Sequence, residues 1–191
     1  MSILEQARDP NTSPETLEQL ATDGNRDVRY WVAENPNTPL ATLKVLATDE
    51  CTIVRSNVTR NPNTPIKILE LLASDEYYYV RCCVAVNPNP KALELLATDE
   101  DYWVRYNVVN NPNTPPTTLE ILATDEHYLV RRSVAHNTNT PPKALEQLAT
   151  DEDWATRSYM GKNPNTPHRT KKYLKIQDYL KHYKHINQEN I

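Results

Sequence analysis

The chain has 191 residues, a net charge of −4 and a hydrophobic fraction of 38%. These values argue against a strongly basic nucleic-acid-binding protein, and they allow either one small domain or a short array of repeats. No apolar run is long enough for a signal peptide or a membrane-spanning helix, so we expect a cytoplasmic protein.

The sequence repeats itself about every 26 residues. Successive Val-Arg dipeptides are separated by 26, 26, 24 and 26 residues, and a degenerate sixth copy reads Thr156-Arg157. An Asn-Pro-Asn-Thr-Pro turn and a Leu-Ala-Thr-Asp segment return at the same interval. Self-similarity of this length is typical of stacked repeat proteins. We therefore predict about six repeats of 24–26 residues.

The first part of each repeat predicts a short helix that follows the turn. Thr38 is a candidate N-cap, and Pro39 is suited to the first helical position because its missing N–H is not needed there. Apolar residues three and four apart then form one buried stripe. The stripe comprises Leu17, Leu20 and Ala21; Leu43, Leu46 and Ala47; Leu69, Leu72 and Ala73; Leu93, Leu96 and Ala97; Leu119, Leu122 and Ala123; and Leu145, Leu148 and Ala149.

A second short helix completes each repeat. In the second repeat we expect Asp49 to cap it and Val54 and Val58 to face inward. The Asn-Pro pair ends it, because a residue before proline avoids the α region and asparagine tolerates a left-handed conformation. Helices of two to three turns are marginal alone, so neighbouring repeats must stack. The turn at residues 87–90 lacks two residues, which predicts a local change in superhelical pitch.

The combined pattern Asp-x-x-x-x-Val-Arg-x-x-Val-Ala-x-Asn-Pro-Asn-Thr-Pro-x-x-Leu-x-x-Leu-Ala resembles the leucine-rich repeat variant family, within the HEAT-like repeats. Residues 75–97 and 125–149 carry most of it, and the resemblance covers residues 9–167. It implies an all-α, right-handed α/α superhelix (a solenoid) of alternating α and 3₁₀ helices, and no activity. One described member holds an iron–sulfur centre in an amino-terminal cysteine cluster. This chain has only Cys51, Cys82 and Cys83, so we expect no cofactor.

One arginine and one aspartate recur in constant phase. The arginines could form a basic ladder for phosphate or carboxylate groups of a ligand. They could instead pair with the aspartates, and that structural interpretation is favoured because each repeat supplies one acid and one base. The residues of this ladder are Arg29, Arg55, Arg81, Arg105, Arg131, Arg157, Asp49, Asp75, Asp99, Asp125 and Asp151.

Aromatic residues concentrate in the second helices. The position two before the repeated valine is aromatic in four successive repeats, and the position three after it varies as Trp31, Asn57, Cys83, Asn107, Ser133 and Tyr159. We expect this variable set to line the concave face. Tyrosine and tryptophan are common interface anchors, but packing between repeats explains the pattern equally well. The candidate partner-binding residues are Trp31, Tyr78, Tyr102, Trp103, Tyr106, Tyr128, Trp154 and Tyr159.

Residues 168–191 depart from the repeat pattern, and we predict that they form a capping helix and tail after a solenoid of residues 1–167. Lys171 stands where earlier repeats have leucine, and the segment carries six Lys or Arg against two Asp or Glu. A basic helix for a membrane or an acidic partner is the alternative to a cap. His182 and His185 have a spacing that could hold a metal, although no other ligand pattern accompanies them, so no metal site is predicted.

No catalytic motif occurs, so we do not expect an enzyme. The leading hypothesis is a non-catalytic scaffold that binds a protein or peptide along the aromatic face of its second helices. The alternative is a nucleic-acid-binding HEAT-like solenoid related to DNA repair, which would stack bases on the aromatic residues. Because the whole chain carries −4 and residues 168–191 carry +4, residues 1–167 carry −8, which disfavours binding to phosphates.

Overall fold

The computed structural model describes residues 1–177, whose regular structure is entirely helical. The first helices of the repeats are α2 (Pro14–Leu20), α4 (Leu40–Leu46), α6 (Ile66–Leu72), α8 (Pro90–Leu96), α10 (Pro116–Leu122) and α12 (Pro142–Gln147). The second helices are α3 (Arg26–Glu34), α5 (Thr52–Val58), α7 (Tyr78–Val86), α9 (Tyr102–Asn110), α11 (Tyr128–His136) and α13 (Trp154–Lys162), and α1 (Ile3–Arg8) precedes the first complete repeat. Residues 168–177 are also helical.

Two compact units make up the chain, residues 1–113 and residues 114–191. In the first unit, α1, α3, α5, α7 and α9 each contact the next of the series, and α6 contacts α8. In the second, α11 contacts α13 and α10 contacts α12. Each unit is thus a stack of helix pairs. The predicted boundary between residues 167 and 168 concerns the end of the repeats and stays a prediction, as does the change of pitch at residues 87–90.

The predicted leucine stripe forms the core between the two rows of helices. Its leucines are buried in every repeat, with the exception of Leu20, which is half-buried in the first one. Val54 and Val58 are fully buried, as predicted. Full burial of a leucine or valine side chain contributes about 1.5–3 kcal/mol. This burial compensates for the low stability that helices of six to nine residues would have alone.

Both helices of each repeat are α-helices. Within the described residues, 3₁₀ geometry is confined to one short helix, Leu148–Thr150. The alternation of α and 3₁₀ helices that the family resemblance implies is therefore not general here. In this short helix, Leu148 and Ala149 are buried like their equivalents in the other repeats.

The turn asparagine works differently from the prediction. In the described part of the chain, no residue has a positive φ, glycine included. Asn35 is extended, with φ −65° and ψ 126°. Its buried amide Nδ2 donates to Ala7 O at 3.0 Å and Asp9 O at 2.8 Å, in the preceding repeat. Its Oδ1 accepts from the backbone N–H of Asn37 at 2.9 Å. The asparagine therefore supplies a side-chain donor to two carbonyls at the end of α1, of which Asp9 O also accepts from the Thr12 N–H.

The same clamp recurs within each compact unit. Asn61, Asn111 and Asn163 each donate to two carbonyls of the repeat before them, at 2.8–3.0 Å. Asn87, in the shortened turn, donates to Thr59 O alone among the described bonds. The shortened turn therefore contributes one clamp bond fewer than the complete ones.

Two predicted helix caps are also wrong. Thr38 does not cap α4, whose N-cap is Pro39 without a side-chain bond; its hydroxyl instead donates back to Val32 O. The turn threonine thus closes the helix that precedes it. Asp49 does not cap α5, whose N-cap is Cys51; its Oδ1 accepts from the Cys51 N–H, one position before the helix. The carboxylate is held outside the helix because an arginine binds it.

Candidate interaction surfaces

The structure joins the recurring arginines to aspartates of the following repeat. Arg29 Nε lies 2.6 Å from Asp49 Oδ2 and Arg29 Nη2 lies 3.0 Å from Asp49 Oδ1, a bidentate pair. Arg29 Nη1 donates to Asp23 O within its own repeat. Both side chains are buried, at 10% and 8% exposure. The equivalent pairs are Arg55 with Asp75, Arg81 with Asp99, and Arg131 with Asp151.

The carboxylates raise the pKa of these arginines. At Arg55 the hydrogen bonds that the guanidinium donates to Asp75 raise the pKa further than burial lowers it. Burial pushes the pKa of Asp75 upward, but the hydrogen bonds from Arg55 and from the Tyr77 N–H hold it below its ordinary value. Both groups are therefore charged at neutral pH. This ladder is part of the packing between repeats, so its paired arginines offer no free edge to a ligand.

Arg105 and Arg157 also donate to backbone carbonyls of their own repeats. Arg105 Nη1 donates to Asp99 O and Glu100 O, and Arg157 Nη1 donates to Asp151 O and Glu152 O. These backbone bonds fix each guanidinium against its own repeat. Arg132 forms a separate pair with Asp153, at 3.1 Å, which lies outside the ladder.

Exposed aromatic residues gather on α7 and α9 in the first compact unit. Tyr78 is 50% exposed and Trp103 is 45% exposed, and Tyr79 is also exposed. The Trp103 ring lies 5.6 Å from Tyr106, edge to face, and 5.0 Å from Tyr102. We call Tyr78, Tyr79, Trp103 and Tyr106 the aromatic surface. These side chains project from adjacent second helices, and helical spacing keeps them off the buried stripe.

A groove of about 340 Å³ runs through the aromatic surface. Tyr78, Cys82 and Val86 line it from α7, at positions four residues apart on one helix face. Trp103 and Asn107 line it from α9. The wall is therefore mainly apolar and aromatic, which suits an uncharged side chain of a partner.

The thiol in the groove is not a nucleophile. Burial raises the pKa of Cys82 from 9.0 to about 11. Only the thiolate is strongly nucleophilic, so Cys82 stays protonated and unreactive at neutral pH. Burial also raises the pKa of the neighbouring Cys83. The cysteines that line the groove are therefore uncharged at neutral pH.

The remaining aromatic candidates are spread more widely. Trp31 is half-buried beneath the guanidinium of Arg8, whose Cζ lies 4.1 Å from the ring centroid. In the second compact unit, Tyr128 and Tyr159 are exposed, and Trp154 is 72% exposed. Tyr128 carries Arg132 over its ring at 5.1 Å, and Tyr159 contacts the His136 ring. The structure thus brings together Tyr78, Tyr102, Trp103 and Tyr106.

The expected lining by the position three after the valine is wrong in the middle repeats. Asn57 is completely buried, and Cys83 is buried as well. Asn57 accepts from Arg60 Nη1 at 3.0 Å and lies between neighbouring second helices. Because these helices pack against one another at this position, the side chains there serve packing. Only Trp31, Asn107, Ser133 and Tyr159 of this set retain exposure.

One exposed apolar row was missed in the sequence. Val45, Leu71 and Leu95 occupy the same position of α4, α6 and α8, and each is about half exposed. Each of these residues lies next to the stripe residues in the sequence, so its outward direction is not apparent from the pattern. The only signal was its place immediately before the buried Leu-Ala pair. This row gives the first compact unit a second apolar face.

Comparison with known proteins agrees with these features. The family model described as Leucine Rich Repeat Variant domain matches residues 2–49, and the one described as Leucine rich repeat variant matches residues 128–153. A solved structure titled "A leucine-rich repeat variant with a novel repetitive protein structural motif" is 26% identical, with a TM-score of 0.65. The alignment covers 90% of this chain and 78% of that one. No curated protein matches significantly.

The chain is similar to the leucine-rich repeat variant family over residues 2–49 and 128–153. The predicted fold class, an all-α solenoid of short repeats, is confirmed by the helix pairs and by this likeness. Within residues 1–177, no helix is both long and apolar enough to span a membrane. The predicted histidine pair, His182 and His185, lies outside the described residues.

Proposed function

We propose that this protein is a non-catalytic scaffold that binds a protein or peptide partner through the aromatic surface. The observation that carries the proposal is the cluster of exposed aromatic side chains around the groove between α7 and α9. Tyrosine and tryptophan bury a large area with few rotatable bonds, so they are effective interface anchors. The free cysteines fit the cytoplasmic setting that we propose.

The chemistry of the groove supports a protein partner over nucleic acid. Arg60 is the only cation among the residues that line it, and its Nη1 is already bonded to Asn57. Nucleic-acid binding requires several phosphate contacts and is weakened by net negative charge. Residues 1–167 carry −8. An uncharged, aromatic-rich segment of a partner fits this wall better.

The test compares two variants of the full chain that remove similar exposed area from different faces. Tyr78→Ala with Trp103→Ala truncates the aromatic surface, whereas Leu71→Ala with Leu95→Ala truncates the exposed row on the first helices. All of these side chains are about half exposed, so both variants should keep the circular dichroism spectrum and the melting temperature of the wild type.

Affinity purification from the native cell is the measurement. We expect one stoichiometric partner with the wild type and with Leu71→Ala/Leu95→Ala, and loss of that partner with Tyr78→Ala/Trp103→Ala. Recovery of the same partner from the folded aromatic variant would contradict the assignment. Loss only with the leucine variant would move the binding face to the first helices.

A further inference from the structure

A pocket at the last repeat of the second compact unit is strongly basic. It has a volume of about 720 Å³ and lies between α13 and the helix at residues 168–177. Arg157, Lys171, Lys172 and Lys175 line it, and among residues 1–177 no acidic residue does. Trp154, 72% exposed, forms one edge. Four cations around one cavity, in a chain that is acidic overall, require an explanation.

The pocket exists because the last repeat departs from the stripe. Lys171 and Lys175 stand where the preceding repeat has Leu145 and Ala149, both buried. Gly161 allows Leu174 to approach α13 closely, since a Cβ at Gly161 would lie 3.2 Å from Leu174 Cδ1. Leu174 therefore packs closely against α13, and the lysines line the space beside it.

Arg157 is a ladder arginine whose bidentate edge has no carboxylate within residues 1–177. Its Nη1 is held by Asp151 O and Glu152 O, as in the other repeats. In Arg29, Arg55, Arg81 and Arg131, Nε and Nη2 bind the next repeat's aspartate at 2.6–3.1 Å. Gln177 stands at the position equivalent to that aspartate. The edge of Arg157 instead lines the pocket.

The other repeats show which group fits this edge. The ladder aspartate is followed by glutamate at Asp49-Glu50, Asp99-Glu100 and Asp151-Glu152. In these pairs the glutamate Oε1 also approaches the arginine Nη2, at 3.2–3.5 Å. The ladder arginines therefore bind an Asp-Glu pair repeatedly. The backbone bonds of Arg157 already orient its guanidinium, so little conformational freedom is lost when a ligand binds.

We propose that the basic pocket binds an acidic peptide segment of a partner protein, with an Asp-Glu pair at Arg157. The peptide carboxylates take the place that the next repeat's Asp-Glu pair has elsewhere. Lys171, Lys172 and Lys175 attract the flanking acidic residues, and Trp154 packs against the peptide chain. The site uses none of the residues of the aromatic surface, so this proposal does not depend on the function proposed above.

A labelled peptide that copies the chain's own repeat tests this directly. The probe is fluorescein-Leu-Ala-Thr-Asp-Glu-Asp, the sequence of residues 148–153, and fluorescence anisotropy measures its binding to the full chain. The control peptide has Asn-Gln-Asn in place of Asp-Glu-Asp. We expect saturable binding of the acidic peptide at one site, weakening with added salt, and no binding of the amide peptide.

Variants of the chain identify the residues involved. Arg157→Lys keeps the charge but removes the bidentate edge, so the dissociation constant should rise about tenfold. Lys171→Leu with Lys175→Ala restores the apolar residues of the other repeats and should abolish binding. Arg26→Lys is the matched control, because Arg26 is exposed and outside the ladder, and it should bind like the wild type.

Three results would overturn the proposal. The first is equal affinity of the wild type and Arg157→Lys, which would leave only diffuse charge. The second is equal binding of the amide peptide. The third is tighter binding of inorganic phosphate or of an oligothymidylate, lost in the same variants, which would assign the pocket to phosphate groups instead.

Discussion

Asn61, which opens a complete turn, donates to two backbone carbonyls of the preceding repeat, and one of them, Asn35 O, also accepts from the Thr38 N–H. Asn61 Nδ2 lies 2.8 Å from both Ala33 O and Asn35 O, and Asn61 is buried. A buried carbonyl that loses its partner costs about 1–3 kcal/mol. At the scale of single residues, the clamp therefore contributes to stability wherever the turn is complete.

Replacement of this amide should destabilise the chain strongly. We expect Asn61→Ala to lower the free energy of unfolding by about 1–3 kcal/mol, because the buried Ala33 O loses its side-chain donor, whereas Asn35 O keeps the Thr38 N–H. Asn63→Ala is the matched control: it lies in the same turn and donates to Pro36 O, but it is exposed and should cost about 1 kcal/mol or less. Urea unfolding measures both. Equal losses for the two variants would contradict the clamp.

Sequence alone predicted where these residues lie but not what they do. The Asn-Pro-Asn-Thr-Pro motif marked the helix ends correctly, because the effect of proline on its neighbours is local. The clamp of Asn35 and the hydroxyl bond of Thr38 to Val32 O were missed. The clamp joins residues 26 and 28 positions apart, so it becomes apparent only once the repeats are stacked.

At the scale of helices, the arginine ladder joins one repeat to the next. The second helix supplies Arg55, and the loop before the next second helix supplies Asp75. The constant phase of acid and base in the sequence indicated such a pairing, because nearest-neighbour stacking gives every repeat the same partners. It did not indicate which repeat supplies the partner. The exposed row of Val45, Leu71 and Leu95 was missed because the orientation of each first helix against its neighbours decides which of its apolar side chains are exposed.

The Arg55–Asp75 pair should show strong coupling in a double-mutant cycle. Arg55→Met leaves the Asp75 carboxylate buried without a cation and should cost about 3–5 kcal/mol. Asp75→Leu should cost a similar amount, whereas the double variant should recover about 1–3 kcal/mol of the summed losses. Chemical denaturation at pH 7 provides the values. Strictly additive losses would show that the two side chains do not stabilise each other.

Lowering the pH should remove the stabilisation that the Arg55–Asp75 pair contributes. The folded pKa of Asp75 is below its ordinary value of 3.8, so the stabilisation is complete above about pH 4 and is lost as the pH falls further. Arg26→Met, which removes an exposed pair with Asp27, is the control for Arg55→Met. It should change the free energy of unfolding by about 0.5 kcal/mol or less.

At the scale of the whole molecule, stability is a sum over repeats and over the contacts between neighbours. The shortened turn at residues 87–90 is then the weakest step in the series within the first compact unit. It lacks the threonine whose hydroxyl closes the preceding helix elsewhere, and Asn87 makes one clamp bond where Asn61 makes two. The spacing of Arg81 and Asp99 is 18 residues, against 20 for Arg29 and Asp49.

Insertion of Thr-Pro between Asn89 and Pro90 should repair this step. The new turn would read Asn-Thr-Pro-Pro-Lys-Ala-Leu, identical to residues 139–145, and the arginine–aspartate spacing would become 20. We expect the free energy of unfolding to rise by about 1–2 kcal/mol, because a hydroxyl bond to Val84 O and a second clamp bond can form. Lengthening a surface turn by two residues costs little entropy in comparison. Insertion of Val-Pro, which lacks the hydroxyl, should recover less, and a lower stability for Thr-Pro than for the wild type would show that the short turn is itself optimal.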